Sequence, residues 1–177
     1  MNRLNKGYIQ IYTGNGKGKT TAAIGQAVRA AGYGLKTLII QFMKDFPYNE
    51  ITALERLNDL IEIQQVCKDD WVFNKQPAPL EEKEKAKTVL ETTLEKMKSG
   101  TYDLIILDEV CVSIYFGVID KNNVTPFFEN KPDNVELILT GRYCPEEFIE
   151  VADLVTEMKE VKHYYQKGVH ARKGIES

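Results

Sequence analysis

The chain has 177 residues, with 23 Lys and Arg against 26 Asp and Glu for a net charge of -3, a length that predicts one domain over 1–177 with a core that needs no disulfide or zinc staples. The acidic balance excludes a broad nucleic-acid footprint, and the scattered Cys67, Cys111 and Cys144 exclude a paired-cysteine framework and fit a reducing cytoplasm. The sequence has no apolar run long enough to span a membrane and begins without an apolar leader, so no membrane partner is expected.

Residues 8–12 (YIQIY) form a short β-rich run that stops at the glycine cluster TGNGKGKTT, and an Ala-rich stretch over 20–31 follows. Ala23, Ala27, Ala30 and Ala31 recur at helical spacing, and Gly32 and Gly34 supply the stop. Residues 37–42 (TLIIQF) are apolar at nearly every position, as in a strand buried on both faces of a parallel sheet. A short helix over 51–57 and a strand over 61–66 come next, then a loop over 67–79 that carries a Trp and a Phe. A loop of this length with aromatic content reads as functional rather than disordered. Over 80–99, Ala86, Val89, Leu90, Thr93, Leu94 and Met97 mark one face of an amphipathic helix, with Glu81 and Lys85 paired on another. Strands over 102–107, 136–140 and 154–158 complete the pattern, with one or two short helical pieces before the second of them. Alternating strands and helices imply an α/β fold, right-handed crossovers, and a mostly parallel sheet covered by helices on both faces.

Chemistry gathers at three strand ends. Between the first strand and its helix, Gly14, Gly16 and Gly18 allow the backbone N-H groups to turn inward into an anion-binding nest, to which the helix N-terminus adds positive character. On this reading Gly14, Asn15, Gly16, Lys17, Gly18, Lys19, Thr20 and Thr21 bind a nucleotide, Lys19 reaches the phosphates, and the Thr20 hydroxyl is placed to coordinate Mg2+. Position 13, where the usual GxxxxGK[ST] pattern has glycine, is Thr13, so the loop is either a variant or one residue tighter. The run LIILDE delivers Asp108 and Glu109 to the end of an apolar strand, as in a Walker B site, where ligands of open parallel sheets bind. Either carboxylate is a candidate metal ligand. Arg142 ends a further strand on the same edge, either contacting phosphate oxygens or standing as an exposed turn residue. His163 and His170 have no partner at metal spacing, and Cys111 and Cys144 read as packing residues.

With TGNGKGKTTAA, LDE, LTGR and the tail ADLVTEMKEVKHYYQKGVHARKGIE in hand, the chain resembles the P-loop type ATP:corrinoid (cob(I)alamin) adenosyltransferases over nearly its whole length. The resemblance implies a P-loop NTPase-like, RecA-like sheet and a transfer rather than a hydrolysis. Co(I) of a corrinoid, such as cob(I)yrinic acid a,c-diamide or cob(I)alamin, attacks C5′ of ATP and expels triphosphate. ATP lies reversed against the usual P-loop direction. Lys19 and Arg142 are then catalytic, and Thr20, Asp108 and Glu109 hold Mg2+. The resemblance also implies a homodimer, a flavoprotein electron donor and a cytoplasmic setting.

Family members press loop aromatics on the corrinoid's lower face in the order Phe, one residue, Trp; here the order is exchanged, Trp71, Val72, Phe73. The two aromatics either do that work or anchor the loop to the core. Many members also carry a helical lid before the first strand, whereas six residues precede Gly7 here, so the lid is expected to be missing or supplied otherwise. The rival readings are a small-molecule kinase or NTPase and a nucleotide-gated binding protein.

Overall fold

In the computed structural model, which describes residues 3–44, 48–73 and 76–176 with the backbone alone for Phe73, each apolar run becomes a strand. The first strand, β1 (Ile9–Thr13), feeds the loop and α1 (Lys19–Tyr33), which starts one residue before the predicted helix. After β2 (Thr37–Phe42) come α2 (Asn49–Leu54), a 3-10 turn at Glu55–Leu57, and β3 (Ile61–Val66). The segment read as a loop contains a one-turn helix, α3 (Asp70–Phe73), before α4 (Leu80–Lys98). The chain continues through β4 (Leu104–Asp108), α5 (Val110–Tyr115), α6 (Thr125–Glu129), β5 (Glu136–Thr140), α7 (Glu146–Val151) and β6 (Leu154–Glu157).

The sheet order is β3-β2-β4-β5-β1-β6, and every described pairing is parallel. Alternation along each strand divides the core between two faces. Ile39, Leu104, Ile106 and Ile138 pack under Ala23, Ala27, Ala30 and Ala31 of α1. Small residues on that helix face let it lie close to the sheet. Leu38, Ile40, Ile105, Leu107, Leu137 and Leu139 face the other way, into a core with Ala86, Leu90 and Met97 of α4 and Phe127 and Phe148. The predicted Glu81–Lys85 pair forms at 2.7 Å.

The edge of β4 differs from the prediction, starting at Leu104 rather than at 102. Asp103 is taken up elsewhere: its N-H donates to the Lys36 carbonyl at 2.8 Å, and its Oδ2 accepts from the Lys36 N-H at 2.9 Å. This reciprocal clasp ties the start of β4 to the turn before β2. Parallel pairing then carries the carboxyl ends of β1, β2, β4 and β5 to one edge of the sheet, which is where the site lies.

Candidate functional site

With Thr13 the last residue of β1 and Lys19 the first of α1, the glycine loop runs from Gly14 to Gly18, the tighter of the two loops that the sequence allows. Two of its glycines are required by a crossing strap of backbone after β6. A Cβ on Gly14 or Gly16 would stand 2.5 or 2.7 Å from the Met158 carbonyl oxygen, closer than real side chains approach. The Met158 N-H donates to the Thr13 carbonyl at 2.8 Å, and the Gly16 N-H donates to the Met158 carbonyl at 2.7 Å. The Gly16 amide is therefore occupied by the strap and does not join the inward nest that the glycine pattern suggests.

Lys19 is buried, and its ammonium donates to the carbonyls of Gly14 and Gly16, both at 2.8 Å. Burial pulls its pKa down, Glu109 opposes this, and Arg142 acts with burial. Lys17 turns the other way, donating to Glu176 Oε1 at 2.7 Å, the Ile175 carbonyl at 2.9 Å and the Tyr164 hydroxyl at 3.2 Å. Arg172 reaches the same Glu176 at 3.2 Å and lies 5.0 Å above the Tyr164 ring. The tail is thus fastened to the loop through Lys17, which the sequence reading gave to the nucleotide, and through Tyr164, Arg172 and Glu176, to which it gave no role.

Asp108 is fully buried and completely engaged. Oδ1 accepts from the Thr140 hydroxyl at 2.6 Å, and Oδ2 accepts from Lys44 at 2.9 Å and from Gln41 Nε2 at 3.1 Å. Glu109, in a left-handed conformation with φ 59°, turns from the strand end toward the cavity. Burial first, and the charge of Asp108 second, push its carboxyl pKa up, against the pull of Lys44, Lys19 and Arg142.

These elements surround a cavity of about 750 Å³, lined among others by the Gly16–Thr21 stretch, Lys44, Tyr48, Glu109, Arg142 and the tail from Gly174 to Glu176. That is within the range of about 300–1,000 Å³ typical of ligand clefts. Arg142 is exposed at its wall, and His163, to which the sequence gave no role, lines it too. No cluster of three His, Cys, Asp or Glu suited to a metal occurs among the described residues, so a cation here would rely on few protein oxygens.

Trp71 is buried. Its indole N-H donates to the Lys68 carbonyl at 2.8 Å and its ring meets Phe116 edge-on at 6.3 Å, the anchoring geometry. The side chain of Phe73 lies outside the described residues. Lys44, Gln41 and Thr140 escaped the sequence reading, although Lys44 follows an apolar strand just as Asp108 does.

A model of the family described as ATP:corrinoid adenosyltransferase BtuR/CobO/CobP matches residues 5–177. A corrinoid adenosyltransferase of Escherichia coli strain K12 is 33% identical over 172 residues, covering 97% of this chain and 86% of that protein. A corrinoid adenosyltransferase of a Sinorhizobium species is 34% identical, covering 97% and 80%. The corrinoid adenosyltransferase CobA of Salmonella typhimurium is 31% identical, covering 97% and 86%. Among solved structures, the flagellar accessory protein FlaH from Methanocaldococcus jannaschii superposes with a TM-score of 0.61 at 14% identity, covering 87% of this chain and 72% of that one. At that identity the likeness speaks for the fold alone, which is the expected P-loop NTPase-like α/β architecture.

Proposed function

This chain belongs to the ATP:corrinoid adenosyltransferase family, and from that membership we propose that it transfers the 5′-deoxyadenosyl group of ATP to Co(I) of a corrinoid, releasing triphosphate, in adenosylcobalamin synthesis or salvage. The observation that carries the reading is the convergence of Lys19, Lys44 and Arg142 on one nucleotide-sized cavity beside the glycine loop. In the transfer, a bond forms between cobalt and C5′ and the C5′–O bond breaks, its electron pair leaving with the triphosphate. A Co(I) nucleophile needs no general base, so the protein's work is to position C5′ and to neutralise charge growing on the leaving group.

The residues divide that work by location. Lys19 exchanges its loop carbonyls for phosphate oxygens when the nucleotide enters. Arg142, at the end of β5, supplies a planar, always charged donor to the same oxygens. Lys17, Gly18, Lys19, Thr20 and Thr21 line the cavity and offer backbone amides to the phosphates, with Asn15 beside them in the loop, and the α1 N-terminus adds its dipole.

Mg2+ fits the donor set at Thr20 and Glu109, both cavity-lining oxygen ligands, because it is bound through one or two protein oxygens with phosphates and waters completing six positions. The raised pKa of Glu109 marks a carboxylate that gains from a nearby cation. Bound there, Mg2+ would neutralise triphosphate charge. Asp108, already holding three donors, supports the site from behind.

For the corrinoid, the reading places Trp71 and Phe73 against the lower face. Support comes from α3, whose Val72 borders a recess of about 230 Å³ that shares Lys44, Tyr48, Glu109 and Val112 with the main cavity. Trp71 then holds α3 from the core side, and direct contact with the corrinoid requires the helix to tilt. A homodimer draws support from β6, an edge strand with Leu154 and Val155 exposed. A cytoplasmic setting and a flavoprotein donor rest on the family resemblance.

The test is product analysis with ATP, Mg2+, a reductant and a corrinoid. Triphosphate together with adenosylated corrinoid supports the transfer, ADP would make the chain a kinase or NTPase, and intact ATP would make it a switch.

A further inference from the structure

The end of β2 is built around Lys44. Met43 adopts a left-handed backbone with φ 53°, a conformation costly for a side-chain-bearing residue, and its N-H stays paired with the Val66 carbonyl at 2.9 Å. That turn sends the next side chain back over the sheet edge instead of out into solvent. Lys44 is only 9% exposed, its ammonium 2.9 Å from Asp108 Oδ2 and 3.3 Å from the Thr20 hydroxyl, with the Tyr48 ring 5.1 Å away.

A buried ion pair is poor value for stability alone, since desolvating both charges offsets much of their attraction. Here the pair lies against a cavity open to an anion, and one ammonium spans the two groups, a P-loop hydroxyl and a strand-end aspartate.

We propose that Lys44 is a second phosphate-binding lysine of the site, clamped by Asp108 and Thr20 so that its ammonium meets the triphosphate part of ATP in the leaving-group position. Asp108 is on this account a positioning residue for Lys44. The proposal rests on the reading of the cavity as a triphosphate site and adds to it a residue contributed by β2, outside the glycine loop.

The test is calorimetric titration of the full chain with inorganic triphosphate, in EDTA and again with Mg2+. Removing Lys44 alone strands a buried carboxylate and endangers folding, so the decisive comparison is Asp108→Asn against the double variant Lys44→Met/Asp108→Asn, each checked by its melting temperature. Loss of one charge-assisted contact predicts that the double variant binds triphosphate about 10- to 100-fold more weakly than Asp108→Asn in EDTA. Equal affinity in the two variants at the wild-type level would mean that Lys44 serves only to neutralise Asp108, and overturns the proposal while leaving adenosyl transfer intact; equal affinity with both weaker than the wild type by that factor shows the clamp itself to be needed and upholds it. A wild-type chain that binds no triphosphate overturns both.

Discussion

The hydroxyl of Thr140 donates to Asp108 Oδ1 at 2.6 Å and accepts the Glu109 N-H at 2.9 Å, so one buried side chain on β5 sets both the rotamer of Asp108 and the turn that aims Glu109 into the cavity. Thr140→Val keeps the shape and removes both bonds. Leaving two buried polar groups unpaired costs about 1–3 kcal/mol for each, so chemical denaturation should show a loss of about 2–6 kcal/mol. Turnover should fall by more than the folded fraction does, whereas Thr140→Ser should retain most of both. A Val variant with wild-type stability would remove Thr140 from this role.

Glu109 gives a pH signature. Its folded pKa is raised above the ordinary 4.5, by burial first and Asp108 second. A raised pKa contributes stability below the unfolded value, and this is lost as pH rises through the folded value. Above the unfolded value the carboxyl is therefore a liability in the nucleotide-free protein. Glu109→Gln should melt higher than the wild type at pH 7, with the advantage vanishing below about pH 4.5, while Mg2+-dependent ATP binding weakens. Melting curves across pH 4 to 8 decide it, and a lower melting temperature at pH 7 counts against the account.

Legibility in the sequence followed the range of the interaction concerned. Strands β2 and β5 stand where their apolar runs predicted them, because burial on both faces leaves a local mark, and the edge strand β3, with every second residue turned toward solvent, stands where it was expected as well. The α3 helix, one turn long, is too short to show periodicity. Asp108 and Arg142 were found as polar residues closing apolar strands, yet the same logic passed over Lys44. Its meaning depends on β2 lying beside β4, a neighbour relation that no local pattern reveals. The role of Gly16 was misread for the same reason, since its amide partner, Met158, arrives from the far end of the chain. Trp71 was legible as important, but whether it faces core or ligand depends on how α3 docks.

The three thiols should differ sharply in reactivity. Burial, then the charge of Glu82, pushes the Cys67 thiol up to about 12. Cys111 is buried, and interaction with Cys144 pushes its pKa up and that of the partly buried Cys144 down, the Cys144 thiol donating to the Pro145 carbonyl at 3.6 Å. Because the thiolate is the nucleophile, a short iodoacetamide pulse at pH 8 on the native protein should label Cys144 first, with Cys67 and Cys111 reacting only on unfolding. Peptide mass spectrometry reads the order, and equal labelling of Cys67 and Cys144 would contradict it.

The tail fastening offers the last test. Glu176 gathers Arg172, Lys17 and Tyr164, and these bonds, Arg172 first, hold its carboxyl well below the usual range. A depressed pKa contributes order present above the ordinary 4.5 and lost only as pH falls toward the folded value. Between pH 7 and 5 the carboxylate stays ionised, so the wild-type tail should stay fastened. Glu176→Gln removes the charge that draws Lys17 away from the loop's phosphate side. Hydrogen exchange should then quicken across residues 163–176 while the buried strands keep their protection and the melting temperature scarcely moves. With Lys17 released, ATP should bind as well as before or better, since a cation beside the glycine loop has been freed. If exchange in the tail is unchanged, Glu176 does not hold it; if ATP binding collapses instead, the carboxylate serves the nucleotide directly and the fastening is secondary.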